Sequence, residues 1–511
     1  QEDVVGPSLG KEAINAGLIS FIIAFALVLV YMVVYYSRAG WISNFALLTN
    51  MFFLLGVLAS FGAVLTLPGI AGIVLTIGMA VDANVIIFER IKEEIRAGKG
   101  VKLAVHDGYK NALSAILDGN ITTLLTGVVL YVFGSGPVQG FATTLIIGIV
   151  SSLFTAILIS RLIFNWLLEK NVDVTFANKV TERWFTNVNI DFIGKRKTYY
   201  IVSAVVILLG VGSLLTKGLN QGVDFTGGRT YVVRFDEDVK TDEMRTALAE
   251  VFETAPEVKT FGPSKQVKIT TKYLIEDNSI DADDRVEEAL FNGVKGFYVN
   301  AITQKEFLSD DESKMNGILS SSKVGPTIAD DLLHRSYMAI AFALFIIFVY
   351  IAARFRKWQF GVGGLVTLMH DALITIAMYS IFDGILPFSL EVDQAFIAAI
   401  LTIIGYSIND TVIIFDRIRE YIGLYPKRTM KENVNGAVNS TLGRTFMTSG
   451  TTLMVLLTIF ILGGEVIRGF SFALIVGVLV GTYSSVFIST PVAYDLSKEE
   501  IKAPVVSKKK N

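Results

Sequence analysis

Long stretches without a charged residue alternate along this chain with short basic connectors, and that alternation sets its architecture. A helix needs roughly 20 apolar residues to cross the roughly 30 Å hydrocarbon core of a bilayer at about 1.5 Å per residue. Ala13 to Ser37 is charge-free and predicts one span, whereas 39–81 is charge-free for 43 residues and must hold two, broken at Leu67-Pro68-Gly69. The run from Gly119 to Ser160 folds back at Gly134-Ser135-Gly136-Pro137. Eleven spans result, near 14–36, 43–65, 69–89, 114–133, 138–160, 198–216, 336–353, 358–382, 395–415, 443–463 and 467–490.

Between the sixth and seventh spans the pattern changes. Residues 231–320 hold 30 charged side chains, which predicts a water-exposed segment. Thr230 to Phe235 and Val267 to Tyr273 alternate like half-buried strands, and 241–254 and 283–293 carry helical spacing of apolar positions. The segment therefore reads as a small α+β domain of ferredoxin-like type. The acidic run Asp281, Asp283, Asp284 reads as a solvated face.

Lys and Arg orient the set, because short cytoplasmic loops are enriched in them. Six lie in 90–110, five in 417–431, and Arg354, Arg356 and Lys357 form a third cluster; with eleven alternating spans all three fall on one side. The opposite loops at 66–69, 134–140 and 383–394 have none, leaving Arg468 as the exception. The soluble domain and Gln1 are thus expected outside the cytoplasm and the Lys508-Lys509-Lys510 tail inside. The mixed basic and apolar stretches 91–110 and 419–435 are expected to lie on the membrane surface, drawn by anionic lipid.

The spans repeat. Val5-Gly6-Pro7-Ser8-Leu9 matches Val324-Gly325-Pro326-Thr327-Ile328, Gly78 to Ile91 matches Gly405 to Ile418 with seven identities in fourteen, and Gly140-Phe141 with Gly148 matches Gly469-Phe470 with Gly477. Two five-span bundles related by duplication follow, a plan that places functional groups near the repeat interface.

Composition agrees and narrows the chemistry. With 52% hydrophobic and 18% charged residues and a mean hydropathy of +0.55, the chain reads as a polytopic α-helical membrane protein. A net charge of −2 gives no electrostatic footprint for nucleic acid. Zero cysteines exclude thiol chemistry and disulfides, and His106, His334 and His370 are too few and scattered for a metal cluster, so no cofactor or metal is expected. Thr122-Thr123 and Thr451-Thr452 read as helix-packing positions without a histidine base, and Gly227-Gly228, lacking a P-loop lysine, as a tight turn. An enzyme is not expected.

The candidate chemistry is charge at bilayer depth. A carboxylate there costs about 2.5–3.5 kcal/mol on insertion scales and normally faces protein or water. Asp410 lies seven residues before Arg417, and Arg444 eight after Gly436, so antiparallel helices bring the two to matching depth, where they can pair. In the first bundle Asp82 lies eight before Arg90 and Asp118 eight after Lys110, but Ala115 stands where the second bundle has Arg444. These groups read either as a proton relay or as fixed helix–helix ion pairs; Asp118 reads equally as a carboxylate at an interfacial helix start. His370 and Asp371 sit mid-span and could extend a relay or bond between helices, and Asn84, Asn409 and Thr411 could orient the acids or glue helices.

Leu67 to Arg90 resembles the signature of SecD, and Gly222-Val-Asp-Phe-Thr-Gly-Gly228, His370-Asp371, Gly405 to Arg417, and Arg444-Thr445 with Thr448-Ser449 resemble SecF. The whole chain resembles the fused SecDF family of the resistance-nodulation-division superfamily. That resemblance implies proton-motive-force-driven assistance to preprotein export at the SecYEG translocon, in the bacterial cytoplasmic membrane, with a YajC-like accessory protein, unfolded preprotein, protons and the bilayer as partners. It implies that Asp82, Asp410 and Arg444 conduct protons, and it expects a further span and a large extracytoplasmic domain ahead of Gln1. Proton-coupled export of small molecules or lipids, and a passive scaffold, are the rival readings. The implied organisation is a first bundle at 1–170, a linker at 171–197, a span at 198–218, a soluble domain at 219–322, a second bundle at 323–492 and a basic tail at 493–511.

Overall fold

A computed structural model describes residues 2–63, 66–178, 181–185, 188–277, 279, 281–309 and 316–497. Among these, eleven helices are long and apolar enough to cross a membrane: α1 (Pro7–Tyr36), α2 (Arg38–Ser60), α3 (Leu67–Arg96), α4 (Val101–Phe133), α5 (Gly136–Glu169), α6 (Arg196–Thr216), α9 (Pro326–Phe355), α10 (Trp358–Phe382), α11 (Gln394–Leu424), α12 (Met430–Leu462) and α13 (Glu465–Leu496), with α7 and α8 in the soluble domain below. Most of the basic tail lies outside the described residues.

Local chemistry sets the helix starts. Pro7, Pro68, Pro137 and Pro326 occupy first-turn positions, where the missing N–H costs nothing, and the Thr66 hydroxyl accepts the Gly69 N–H at the start of α3. The second span sits at 38–60 rather than 43–65, because α1 ends at Ser37 with φ of 53° and α2 begins at once. The stretches 91–110 and 419–435 do not form separate elements. They continue α3, α4, α11 and α12 beyond the apolar windows and pack against one another, since 30-residue helices outrun the hydrocarbon core.

The duplication extends to fine detail. Both α5 and α13 pass through one π-helical turn at matching places, Thr155–Ile159 and Ser485–Ser489. The bundles interlock crosswise, α3 against α12 and α4 against α11, so the central helices α3 and α11 are buried while α6 is peripheral. Close approach at the two crossings requires glycine. A Cβ on Gly405 would lie 2.2 Å from the Thr126 Oγ1, and one on Gly78 3.1 Å from the Thr452 Cα. The Thr123 hydroxyl also donates to the Gly405 carbonyl at 2.9 Å, so these threonines join the bundles.

The soluble domain packs α7 (Thr241–Phe252) and α8 (Ala282–Val294) on an antiparallel sheet of β1 (Glu2–Val5), β5 (Gly317–Val324), β2 (Gly228–Arg234), β4 (Gln266–Thr271) and β3 (Glu257–Thr260), in that order. Strands β2 to β5 with α7 and α8 give the ferredoxin-like plan, and Tyr231, Val233, Met244, Leu248, Val267 and Leu290 fill its core. Strand β1 was not foreseen. It comes from the chain's beginning, pairs Glu2 to Val5 with Lys323 to Ser320, and ties the first bundle to the soluble domain. A second tie joins the loop before α11: Val392 donates its N–H to the Asn220 carbonyl and accepts from Gly222, Gln394 N–H bonds the Asp224 carboxylate at 3.1 Å, and Lys268 pairs with Glu391. Gly227 and Gly228, at φ of 66° and 144°, make the tight turn from this junction into β2.

Candidate functional site

The repeat aligns Gly78 with Gly405, which places Asp82 opposite Asn409 in register, Ala83 opposite Asp410, and Asn84 opposite Thr411. The acids therefore occupy different positions on equivalent helices. Asp82 on α3 and Asp410 on α11 are both buried, and each carboxylate lies within electrostatic reach of the Tyr406 ring on α11, whose hydroxyl donates to the Thr452 Oγ1 at 3.1 Å. Tyr406, one helical turn before Asp410, thus lies within reach of both acids at the crossing of the bundles.

The partners of these acids are sparse. Asp82 Oδ1 has no hydrogen-bond partner, and Asp410 Oδ2 has only the Ser449 hydroxyl at 3.5 Å. Ser449 in turn accepts from Thr482 at 2.7 Å. Arg444 makes no ion pair with Asp410 within 4.0 Å among the described residues, and its Nη2 is unpartnered. Its guanidinium instead lines a cavity of about 80 Å³ toward the basic end of the bundle, shared with Glu93 and Arg417. Asn84 Oδ1, Asn409 Oδ1 and Thr411 Oγ1 are likewise buried without hydrogen-bond partners among the described residues.

Two other candidates are fully engaged. Asp118 on α4 pairs with Arg354 of α9 at 2.6 Å and accepts from the Tyr350 hydroxyl at 2.9 Å and from Ser114 at 3.4 Å. Asp371 on α10 is fully buried, faces the His370 Nδ1 at 2.8 Å, and accepts from Ser484 at 2.8 Å and from Ser407. His370 Nε2 meets Ser203 of α6 at 3.0 Å, so the dyad knits α6, α10, α11 and α13 together. Sequence reasoning missed Arg354, Tyr350, Tyr406 and Ser449. Arg354 was visible only as a loop charge, whereas Tyr406 and Ser449 lie inside quoted motifs without a role read for either.

Comparison with known proteins decides what this arrangement belongs to. The family model for the C-terminal region of the protein export membrane proteins SecD and SecF matches residues 1–170 and 304–499, and that for the SecD/SecF GG motif matches 212–239. The chain belongs to the SecD/SecF family. It is 36% identical over 496 residues to the protein translocase subunit SecDF of Thermus thermophilus, covering 95% of this chain and 62% of that protein, and 32% identical over 518 residues to SecDF of Bacillus subtilis, covering 98% and 66%. It is also 45% identical over 314 residues to the protein translocase subunit SecF of Rhodothermus marinus, covering 61% of this chain and 95% of that protein. A crystal structure of SecDF from Thermus thermophilus, described as a translocon-associated membrane protein, superposes with a TM-score of 0.84 at 35% identity, covering 97% of this chain and 64% of that one. The chain thus spans about two thirds of its SecDF relatives (61–66%), and SecD/SecF members are multi-pass membrane proteins in keeping with its eleven helices.

Proposed function

We propose that the chain works as an accessory subunit of the Sec translocase, using the proton motive force to promote preprotein export across the bacterial cytoplasmic membrane. Its soluble domain lies on the extracytoplasmic side, as the basic loops at the other end of the bundle favour. SecYEG, a YajC-like accessory protein and unfolded preprotein are its partners, and its role is transport rather than catalysis. The observation that carries the reading is the contrast among buried acids: Asp118 is clamped by Arg354, whereas Asp82 and Asp410 face the bundle crossing with almost no partners. An unpaired carboxylate at bilayer depth is costly when ionised and cheap when protonated, so its charge can change within a cycle. Moving one charge through 100 mV supplies about 2.3 kcal/mol, enough to bias a two-state rearrangement.

Asp82, Asp410 and Arg444 carry the relay in this reading, Tyr406 and Ser449 bridge it, and β1 together with the Val392 junction pass its motion to the soluble domain. Export of small molecules is less well supported, since the cavity reaching Arg444 is about 80 Å³, far below the few hundred Å³ of a drug-sized pocket, and the cavities of 280, 450, 590 and 640 Å³ elsewhere are lined by none of Asp82, Asp410 and Arg444. The test is proton flux and preprotein translocation in inverted vesicles with Asp410→Asn, which keeps volume and removes the titratable group. Loss of both in a normally inserted variant supports the reading, and wild-type flux refutes it.

A further inference from the structure

At the basic ends of α3 and α11 the two repeats meet in a closed ring of four charges. Arg90 Nη2 contacts Glu420 at 2.6 Å and Arg417 Nη2 contacts Glu93 at 2.9 Å, both across the bundles. Arg90 to Glu93 and Arg417 to Glu420, each 2.8 Å and three residues apart, close the circuit. The repeat register equates Arg90 with Arg417 and Glu93 with Glu420, so the ring is one device built twice. It sums to zero charge, and it bridges the two helices that carry Asp82 and Asp410.

The cavity bounded by this ring also reaches Arg444, Ile86 and Ile413. Ile86 lies four residues after Asp82 and Ile413 three after Asp410, so the space stops about one helical turn, roughly 5 Å, short of the acids. Between the acids and the basic side stand two layers, the buried isoleucines and then the charged ring. Arg444 Nη2 lies in this region without a hydrogen-bond partner, which leaves it able to take a new one if the helices separate.

We propose that Arg90, Glu93, Arg417 and Glu420 form the cytoplasmic gate of the proton path, closed in this structure and opened when the ends of α3 and α11 part. The gate rests on the proton reading above, and its test separates the two. The chain has no cysteine, so Arg90→Cys/Glu420→Cys carries the only thiols. In reconstituted vesicles, joining them with a reducible bis-thiol cross-linker should cut proton flux at least about tenfold, and reduction should restore it. Unchanged flux at complete cross-linking overturns the gate. A fourfold exchange, Arg90→Glu/Glu93→Arg/Arg417→Glu/Glu420→Arg, made together with Glu94→Gln because Arg90 also pairs with Glu94, keeps the four ring pairs with their signs reversed and should conduct within about twofold of the native chain, whereas Glu420→Gln alone should leak severalfold faster at rest. An exchanged ring that leaks like Glu420→Gln also overturns it. Wild-type flux in Asp410→Asn would instead remove the proton reading itself, while a dead Asp410→Asn beside an indifferent cross-link would remove the gate alone.

Discussion

On α4 of the first bundle Asp118 is held by an arginine, a tyrosine and a serine; on α11 of the second, which packs against α4, Asp410 has a single long contact to Ser449. The helices that carry them, α4 and α11, come from opposite bundles and pack directly on each other. The difference lies in what surrounds each carboxylate. A buried acid with a bidentate cation is stabilised in its charged form and becomes part of the scaffold, while one without it stays poised between two states. Arg354 supplies that cation to Asp118 from the opposite bundle, whereas Arg444 lies within electrostatic reach of Asp410 but makes no ion pair with it within 4.0 Å among the described residues.

The sharpest way to break this contrast is to neutralise each acid. Asp410→Asn and Asp82→Asn should lower proton flux about a hundredfold or more, about 2.7 kcal/mol of barrier, without lowering thermal stability. Asp118→Asn should do the reverse, destabilising the detergent-solubilised protein by about 1–3 kcal/mol while flux stays within about twofold. If Asp118→Asn stopped flux as fully as Asp410→Asn, the division into fixed and switchable acids would be wrong.

The two crossings differ in tightness. Gly405→Ala would press a methyl group on Thr126 and disturb the Thr123 bond to the Gly405 carbonyl, whereas Gly78→Ala meets only a snug contact with Thr452. Denaturation in detergent should show a loss of about 2 kcal/mol for the first and about 1 kcal/mol for the second.

Outside the membrane, Asp283 offers a reference for a paired carboxylate. Burial pushes its carboxyl up, but the Lys323 ammonium and the buried Arg229 guanidinium hold it below its ordinary value. Because its folded pKa is depressed, its contribution is present above the unfolded value of about 3.9 and is lost as pH falls through the folded one. Asp283→Asn should cost about 1.5–2 kcal/mol at neutral pH, and the gap to wild type should narrow on acidification, measured by urea unfolding followed through soluble-domain fluorescence.

The smallest asymmetry is in the caps. The N-terminus of α12 has a full capping box between Thr429 and Glu432, while α4 begins at Gly100 with no side-chain cap. Thr429→Ala should cost about 1 kcal/mol and Gly100→Asn should gain a few tenths, both read by thermal unfolding with flux unchanged.

Much of this was legible in the chain. Charge-free runs fix spans because the bilayer imposes a length, so the eleven helices fell near their expected places. The second span was set five residues late because the single-residue turn at Ser37 leaves no loop between the two helices. The ferredoxin-like core was visible in the alternation of β2 and β4, but β1 was not, since four residues ahead of a span have no periodicity to read.

The candidate acids were legible too, because an Asp in a long apolar run is conspicuous on cost alone. Their neighbours were not. The expected meeting of Asp410 with Arg444 rested on depth along two helices, and depth does not fix rotation or where a long side chain points. Sequence by itself determined the spans, the duplication and which carboxylates lie in the membrane, since each follows from local hydropathy and spacing. Only the tertiary structure decided that Asp118 is tied to Arg354, that Asp82 comes within reach of Tyr406, and that Arg90 and Arg417 trade glutamates across the repeat. Those contacts join residues more than two hundred positions apart, and what brings them together is the crosswise packing of two bundles, which no local pattern encodes.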